Sequence, residues 1–180
     1  MALLDASSPE FLERAQKITT LVLDVDGVLT DGRIIYDEYG AELKHFDVQD
    51  GAGLFFWHRA GLRSAVITAR RSRLLRRRAK EMQVDFVRQR ALIKLPVYED
   101  LLRRWKLSDQ EICVMGDDLM ELPMLRRAGL SVAVPNAVPE VRLSCHYVTQ
   151  RPGGRGAVRE VVDHLLKAKG LWQQIAQRYQ

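Results

Sequence analysis

Apolar residues in this chain fall into short unbroken runs that alternate with longer segments of helical periodicity. The unbroken runs are typical of strands buried on both faces, and they predict six strands, at 21–26, 62–68, 84–88, 112–116, 130–134 and 145–149. The periodic segments predict helices between them, at 50–61, 72–82, 92–105, 119–129 and 156–170. Strands that alternate with helices predict an α/β fold in which a central parallel sheet carries helices on both faces.

Two further elements stand outside this alternation. Ser8 and Pro9 predict the start of a capped helix before the first strand. Residues 33–46 predict a β-hairpin after that strand, with its turn at 37–40. We expect residues 171–180 to extend the closing helix, and the chain of 180 residues to form one domain.

Composition narrows the class of protein. Apolar residues make up 47% of the chain, which is enough for a sizeable core. No apolar run reaches about 18 residues, so we expect no membrane span, and the N-terminus lacks the pattern of a secretory signal. The two cysteines, Cys113 and Cys145, predict no disulfide framework, and a reducing cytoplasm is the simplest location.

The formal net charge is +5, and residues 70–78 contain a cluster of arginines. Two interpretations of the cluster stay open: a patch for nucleic acid or another anion, or the solvated face of a helix. Leu74 and Leu75 interrupt the cluster as the buried stripe of an amphipathic helix would. We therefore expect most of these arginines to face solvent, with one or two near the helix start available to an anionic ligand.

Polar side chains follow several of the predicted strands at the point where each strand ends. They are Asp24 and Asp26 after the first strand, Thr68 after the second, Lys94 at the start of the helix after the third, and Asp117 and Asp118 after the fourth. In parallel sheets, ligands bind outside the carboxyl ends of the strands. The sequence therefore predicts that carboxylates, a hydroxyl and an amine meet at one edge of the sheet.

This set of groups suits phosphate-ester chemistry. A divalent cation relieves the repulsion between crowded carboxylates, and Mg²⁺ prefers oxygen ligands, so Asp24 and Asp117 are candidate metal ligands. Lys94 and Thr68 can donate to a phosphate. Asp24 can then attack phosphorus as a nucleophile, while Asp26 protonates the leaving alcohol and later activates water.

Each residue also has a purely structural interpretation. Asp117 and Asp118 could cap the helix that follows them, Thr68 could bond to backbone, and a single Lys94 is typical of a solvated lysine. The chemical hypothesis rests on the joint placement of these residues.

Four segments together resemble the motifs of the haloacid dehalogenase-like phosphohydrolases. "DVDGVLTDG" resembles the first motif, "ITAR" at 67–70 the second, Lys94 the third and "GDDLMELPML" the fourth. Within that superfamily, the pattern of residues 31–53 and the tail "GGRGAVREVVD" resemble the phosphatases of 3-deoxy-D-manno-octulosonate 8-phosphate, which serve lipopolysaccharide synthesis.

The resemblance implies a Rossmann-like α/β/α domain without a large cap, a sugar-acid phosphate as substrate and a homotetramer. In such a tetramer the hairpin, 32–48, helps to close a neighbour's site, and the flexible tail that begins at 151 folds over it. By motif position, Asp24, Asp26, Asp117 and Asp118 would form the Mg²⁺ site, with Asp26 also contributing its backbone carbonyl. The residues that would contact the sugar acid or its phosphate are Asp26, Asp47, Gln49, Asp50, Gly51, Arg70, Arg78 and Lys94.

Several positions depart from the pattern of the family. Ala69 replaces a common glycine, Glu121 stands where an aspartate is common, and Gln49 stands where an arginine is usual. Gln49 removes a positive charge that could meet the carboxylate of the substrate. The 9-phosphate of a nine-carbon sialic-type sugar acid therefore stays open as the substrate. Two non-enzymatic interpretations also stay open: a nucleic-acid-binding protein on an inactive scaffold, and a non-catalytic subunit.

Overall fold

The computed structural model describes residues 3–179, and within them a six-stranded parallel sheet forms the centre of the molecule. Its strands lie in the order β5-β4-β1-β6-β7-β8. They are β1 (Thr20–Leu23), β4 (Arg63–Ile67), β5 (Phe86–Arg88), β6 (Ile112–Gly116), β7 (Leu130–Ala133) and β8 (Tyr147–Val148). All five pairs of neighbouring strands are parallel, so the predicted α/β sheet is confirmed.

The strand order reverses at β1. From β1 the chain moves outward to β4 and β5 on one side, and then crosses back to β6, β7 and β8 on the other. Leu23 at the end of β1 lies in register with Val66 of β4 and Met115 of β6. The loops after β1 and β6 therefore diverge and leave a crevice, which is the position where α/β sheets bind ligands.

Helices cover both faces of the sheet, as predicted. They are α1 (Pro9–Lys17), α2 (Val48–Arg59), α3 (Arg73–Glu81), α4 (Leu95–Trp105), α5 (Leu122–Leu125), α6 (Pro139–Ser144), α7 (Ala157–Ala168) and α8 (Trp172–Ala176). In one layer α7 contacts both α1 and α2, and in the other α5 contacts both α4 and α6. Large side chains such as Phe11, Trp57 and Tyr98 are fully buried between the layers and the sheet.

Two predicted helices differ from the structure. The helix expected over 119–129 is a 3₁₀ turn, Leu119–Glu121, followed by the single-turn α5. Asp118 caps this 3₁₀ turn, and the apolar residues fill the core without a longer helix. The closing helix does not continue through 171–180, because Gly170 takes a left-handed backbone conformation (φ = +70°) and separates α7 from α8.

The hairpin is shorter than predicted. β2 (Ile35–Tyr36) pairs with β3 (Glu42–Leu43) in an antiparallel ribbon of two residues each. Its turn lies where the sequence predicted it: Asp37 Oδ1 accepts from the amides of Tyr39 and Ala41. Asp31 belongs to the entry of the hairpin, where its Oδ1 accepts from the amide of Arg33 at 3.2 Å.

The glycine-rich tail, predicted to be flexible, lies packed against the loop that follows β1. The amide of Gly154 donates to Val28 O at 2.9 Å, and the amide of Gly153 donates to Asn136 Oδ1 at 2.8 Å. A Cβ at Gly153 would lie 1.7 Å from Gly27 O, so only glycine fits this approach. The tail therefore supports the loop from outside the crevice.

Asp50 ties α2 to the start of α7. Its carboxylate accepts from the amides of Gly156, at 3.3 Å, and Arg159, at 2.9 Å, and the residue is 1% exposed. Burial raises the pKa of Asp50 to about 6, although these amides favour the charged form. Asp50 was predicted to contact the substrate, but in the structure its carboxylate accepts hydrogen bonds from the backbone at the start of α7.

Among the described residues, no helix combines the length and the apolar character of a membrane span. Cys113 and Cys145 are both free and buried.

We expect Asp50→Asn to change how stability depends on pH. Because the folded-state pKa of Asp50 lies above its unfolded value of about 4, ionisation is harder in the folded protein. The contribution of Asp50 is therefore fully present below pH 4 and is lost as pH rises through 6, by up to about 3 kcal/mol. Urea unfolding of wild type and Asp50→Asn between pH 4.5 and 7 should show a stability difference that shifts in favour of the variant as pH rises.

The exposed Glu38 at the hairpin tip provides the control, since Glu38→Gln should leave the pH profile unchanged. Parallel profiles for wild type and Asp50→Asn would contradict the prediction.

Candidate active site

The crevice at the strand reversal contains the residues that the sequence placed at strand ends. It forms a cleft of about 150 Å³. Its lining residues are Asp24, Asp26, Thr68, Ala69, Arg70, Lys94, Asp117, Asp118, Met120 and Glu121. Four strands and their following loops therefore deliver carboxylates, a hydroxyl and two cations to one place.

Lys94 is the buried cation at the centre of the cleft. It lies at the N-terminus of α4, and its Nζ contacts Asp24 Oδ1 at 2.6 Å and Glu121 Oε1 at 2.5 Å. Glu121 is itself buried, and its Oε2 accepts from the amide of Asp118 at 2.9 Å. The ammonium thus holds carboxylates from two different loops, which fixes the positions of both.

The carboxylates of the cleft exceed its buried positive charge. Burial raises the pKa of Asp24 to about 6, although Lys94 opposes the shift. Burial, together with the charges of Asp24 and Glu121, raises the pKa of Asp117 to about 8. Burial opposes the charged form of Lys94, but the two carboxylates outweigh it and its pKa is raised. The cluster therefore has room for further positive charge.

Asp117 has the clearest structural sign of a cation-binding role. One carboxylate oxygen from each of Asp24, Asp117 and Glu121 lies within 4.8 Å of the others. Asp117 Oδ1 is buried and has no hydrogen-bond partner within the described residues. Gly27 makes the approach of this carboxylate possible, since a Cβ there would lie 1.9 Å from Asp117 Oδ2. A divalent cation with oxygen ligands fits this set, because it would pair the orphaned oxygen and neutralise the excess charge.

Thr68 and Asp118 each make a contact to the backbone that their structural interpretations predicted. Thr68 Oγ1 accepts from the amide of Arg70 at 3.3 Å, which leaves the hydroxyl proton free for an anion in the cleft. Asp118 caps the 3₁₀ turn, with Oδ1 accepting from the amide of Leu119 at 2.7 Å. Asp118 was predicted as a metal ligand. The structure places Glu121, and not Asp118, in the carboxylate cluster.

Asp26 lies at the mouth of the cleft and faces the hairpin. Its Oδ1 contacts Lys44 Nζ, and its Oδ2 lies 3.9 Å from Arg70 Nε. Glu42 of β3 contacts Arg70 at 2.5 Å. The hairpin therefore reaches the site of its own chain through two polar side chains.

Most arginines of the cluster face solvent, as the sequence predicted, but the partly buried Arg78 lies in the last turn of α3 and not near its start. Arg71, Arg73, Arg76 and Arg77 are exposed, whereas Arg70 and Arg78 are partly buried. Arg78 donates to Asp47 O at 3.1 Å and lies against Gly51, where a Cβ would be 2.3 Å from its NH2. The structure thus brings Arg78 to the segment 47–51, beyond the residues that line the cleft.

Gln49 has a cationic partner in the structure. Its Oε1 accepts from Arg151 NH1 of the tail at 2.5 Å. Arg151 therefore places a guanidinium beside position 49, where the sequence itself has no arginine.

No site role was predicted for Glu42, Lys44 or Asn136. Asn136 Nδ2 donates to Gly27 O at 2.9 Å and so connects the loop after β1 to the tail. The available signal for Glu42 and Lys44 was their spacing, since residues two apart on a strand share a face.

Comparison with known proteins places this site in a family. Residues 61–160 match a family model described as haloacid dehalogenase-like hydrolase. The chain is 40% identical over 163 residues to the 3-deoxy-D-manno-octulosonate 8-phosphate phosphatase of Salmonella typhimurium, covering 91% of this chain and 87% of that protein.

Solved structures agree with the sequence relatives. The 3-deoxy-D-manno-octulosonate 8-phosphate phosphatase of Yersinia pestis is 39% identical, with a TM-score of 0.90 over 92% of this chain and 89% of that one. The corresponding phosphatase of Moraxella catarrhalis, in complex with a magnesium ion, a phosphate ion and a KDO molecule, is 37% identical, with a TM-score of 0.92 over 94% and 97%. With matches of this extent, the chain belongs to the haloacid dehalogenase-like hydrolases.

Proposed function

We propose that the protein is a Mg²⁺-dependent phosphomonoesterase. The observation that carries the proposal is the buried cluster in which Lys94 contacts Asp24 and Glu121 beside the unpartnered oxygen of Asp117. A nucleophilic carboxylate, a phosphate-binding ammonium and a cation-binding carboxylate pair are the groups that hydrolysis of a phosphate ester requires.

The reaction proceeds in two halves through Asp24. Its carboxylate attacks phosphorus, the bond between phosphorus and the leaving oxygen breaks, and Asp26 gives its proton to that oxygen. Asp26 then takes a proton from water, which attacks the aspartyl-phosphate and regenerates Asp24. Lys94 and Thr68 hold the phosphoryl oxygens in line during both halves.

The residues that would hold Mg²⁺ are the carboxylates of Asp24 and Asp117 together with the backbone carbonyl of Asp26, with Asp118 and Glu121 alongside. When bound, the ion supplies charge neutralisation to the phosphoryl group. Glu121 keeps Lys94 and the loop of Asp117 in place through its contacts to Lys94 Nζ and to the amide of Asp118.

We infer that the substrate is 3-deoxy-D-manno-octulosonate 8-phosphate, whose hydrolysis to KDO and phosphate belongs to the formation of lipopolysaccharide precursors. The names of the relatives in Salmonella typhimurium and Moraxella catarrhalis support this choice. Arg70 lines the cleft, and Arg151 and Arg78 flank the segment 47–51, so cations surround the region where the carboxylate of a sugar acid would lie. The pairing of Arg151 with Gln49 supports the eight-carbon acid despite the missing arginine.

We also propose that the protein forms a homotetramer. Ile34, Tyr36, Tyr39 and Leu43 of the hairpin are exposed apolar side chains. A second exposed apolar group borders the cleft and consists of Leu92, Ile93, Leu119 and Met120. The exposed apolar side chains of one hairpin against the cleft rim of a neighbour would cover both groups and narrow the open site.

A cytoplasmic location stays part of the proposal. It is supported by the two cysteines, which are free and buried as in proteins of reducing compartments.

Asp24→Asn should abolish turnover, because an amide cannot attack phosphorus as a carboxylate does. Phosphate release should fall by at least roughly 10³-fold. Asp31→Asn is the matched control, since Asp31 follows the same strand and lies at the hairpin entry, and it should retain activity within about a factor of three.

Circular dichroism should show that Asp24→Asn is folded. Undiminished turnover in this variant would refute the nucleophile, and a higher kcat/KM for a nine-carbon sugar-acid 9-phosphate than for the eight-carbon ester would overturn the substrate.

Binding of Mg²⁺ should raise the thermal unfolding midpoint, because the ion binds the carboxylate cluster of the folded state. A chelator should remove both this shift and the activity. Asp117→Asn removes one of the proposed ligands and should require at least about tenfold more Mg²⁺ for the same shift. An identical Mg²⁺ dependence in wild type and Asp117→Asn would contradict the assignment of Asp117.

Charges placed at two exposed apolar positions of the hairpin should break the assembly. Light scattering should give a tetramer for wild type and smaller species for the double variant Tyr36→Asp, Leu43→Asp, since buried charge without a partner opposes association. Leu143→Asp, at an equally apolar exposed position on α6, is the control and should stay tetrameric. A fully active wild-type monomer would contradict the proposal that the hairpin of a neighbour closes the site.

A further inference from the structure

Strand β3 and the residue after it direct their charged side chains towards the site and an apolar side chain towards solvent. The side chain of Lys44 is 2% exposed, whereas its neighbour Leu43 is 49% exposed. Glu42 and Lys44 occupy alternate positions and so face the same side. A buried ammonium group needs anionic partners to offset the loss of hydration. The partners of Lys44 therefore show what the inner face of the hairpin contacts.

Four side chains form a closed ring at the mouth of the cleft. Lys44 Nζ contacts Asp26 Oδ1 and lies 3.7 Å from Glu42 Oε1. Arg70 NH2 lies 2.5 Å from Glu42 Oε1, and Arg70 Nε lies 3.9 Å from Asp26 Oδ2. The ring contains two cations and two anions, and it joins the loop after β1, the hairpin and the loop after β4 within one chain.

We propose that Lys44 is a positioning residue for proton transfer to the leaving group. It fixes the carboxyl group of Asp26, and Glu42 fixes Lys44 by bridging it to Arg70. This inference rests on the proposed function, in which Asp26 is the proton donor. A carboxyl group in an open cleft samples several rotamers, and a displacement of about 1 Å is enough to slow a transfer by about 10²-fold.

The role of Lys44 predicts a dependence on the leaving group. When an alkyl phosphate reacts, the leaving oxygen is a strong base, so the bond to phosphorus breaks together with proton transfer from Asp26. When p-nitrophenyl phosphate reacts, the phenolate is a weak base and leaves without a proton. A residue that acts by positioning Asp26 therefore matters for the first ester and little for the second.

The experiment compares Lys44→Met with wild type on the sugar-acid phosphate and on p-nitrophenyl phosphate, using kcat/KM. This parameter covers binding and the transfer of the phosphoryl group to Asp24, and so excludes the later attack of water. We expect a loss of about 10- to 100-fold in kcat/KM on the sugar-acid ester and a change within about threefold on the aryl ester.

Further variants separate positioning from structure. Lys44→Arg should recover part of the loss, and Glu42→Gln should reproduce a smaller loss with the same dependence on the leaving group. Lys44→Gln offers a second neutral replacement with a polar end, in case Lys44→Met folds poorly. Lys80→Met removes an exposed lysine of α3 and should match wild type on both esters.

The variant Asp26→Asn separates the proton-donor role of Asp26 from the positioning role of Lys44. A loss confined to the sugar-acid ester in Asp26→Asn supports the proposed proton donor, and the same pattern in Lys44→Met then supports the positioning role. If Asp26→Asn has the pattern and a folded Lys44→Met or Lys44→Gln loses both esters equally, or neither, the role of Lys44 is overturned while the proposed function stands. If Asp26→Asn affects both esters equally, the proton-donor assignment itself is wrong, and the inference about Lys44 is overturned with it.

Discussion

The contact of one buried ammonium with two buried carboxylates organises the whole edge of the sheet. Lys94 comes from the start of α4, Asp24 from the end of β1 and Glu121 from the turn after β6. None of these charges could be buried alone without a large desolvation penalty. Their mutual attraction therefore determines how the three loops approach one another. It also leaves the carboxylates of Asp24 and Asp117 in excess, which the raised pKa values of both residues reflect.

The strand order converts this contact into an accessible site. Since the strand order reverses at β1, the loops after β1 and β6 diverge, and Asp24 and Asp117 face each other across the crevice. Glycine is required where the backbone itself approaches the cluster. Gly27 (φ = +104°) leaves room for Asp117, and Gly153 lets the tail pack on the outside of the same loop. The tail thus stabilises the loop through backbone contact and through Asn136.

The hairpin has two faces with different partners. Its inner face contacts the site of its own chain through Glu42 and Lys44, while its outer face exposes Leu43, which pairs with Ile35 across the ribbon. An exposed apolar outer face suits contact with another copy, and a charged inner face suits contact with a polar cleft. The two proposals for the hairpin, assembly and positioning of Asp26, are therefore compatible, because the buried charged side chains and the exposed apolar side chains belong to different residues.

The sequence by itself determined the six parallel strands, the crevice at their carboxyl ends and the residues Asp24, Asp26, Thr68, Lys94 and Asp117 that meet there. These follow from local patterns, since a strand end is visible in the apolar run and parallel strands share one edge. Only the tertiary structure decided the partners of each charge. In the folded protein, Asp50 accepts hydrogen bonds from the backbone at the start of α7, and Asp118 caps a 3₁₀ turn. Glu121 pairs with Lys94, and Lys44 is buried although its neighbour Leu43 is exposed. A side chain with a charge is compatible with solvent, with a cap or with an ion pair, and the choice depends on groups far apart in sequence that only folding brings within a few ångströms.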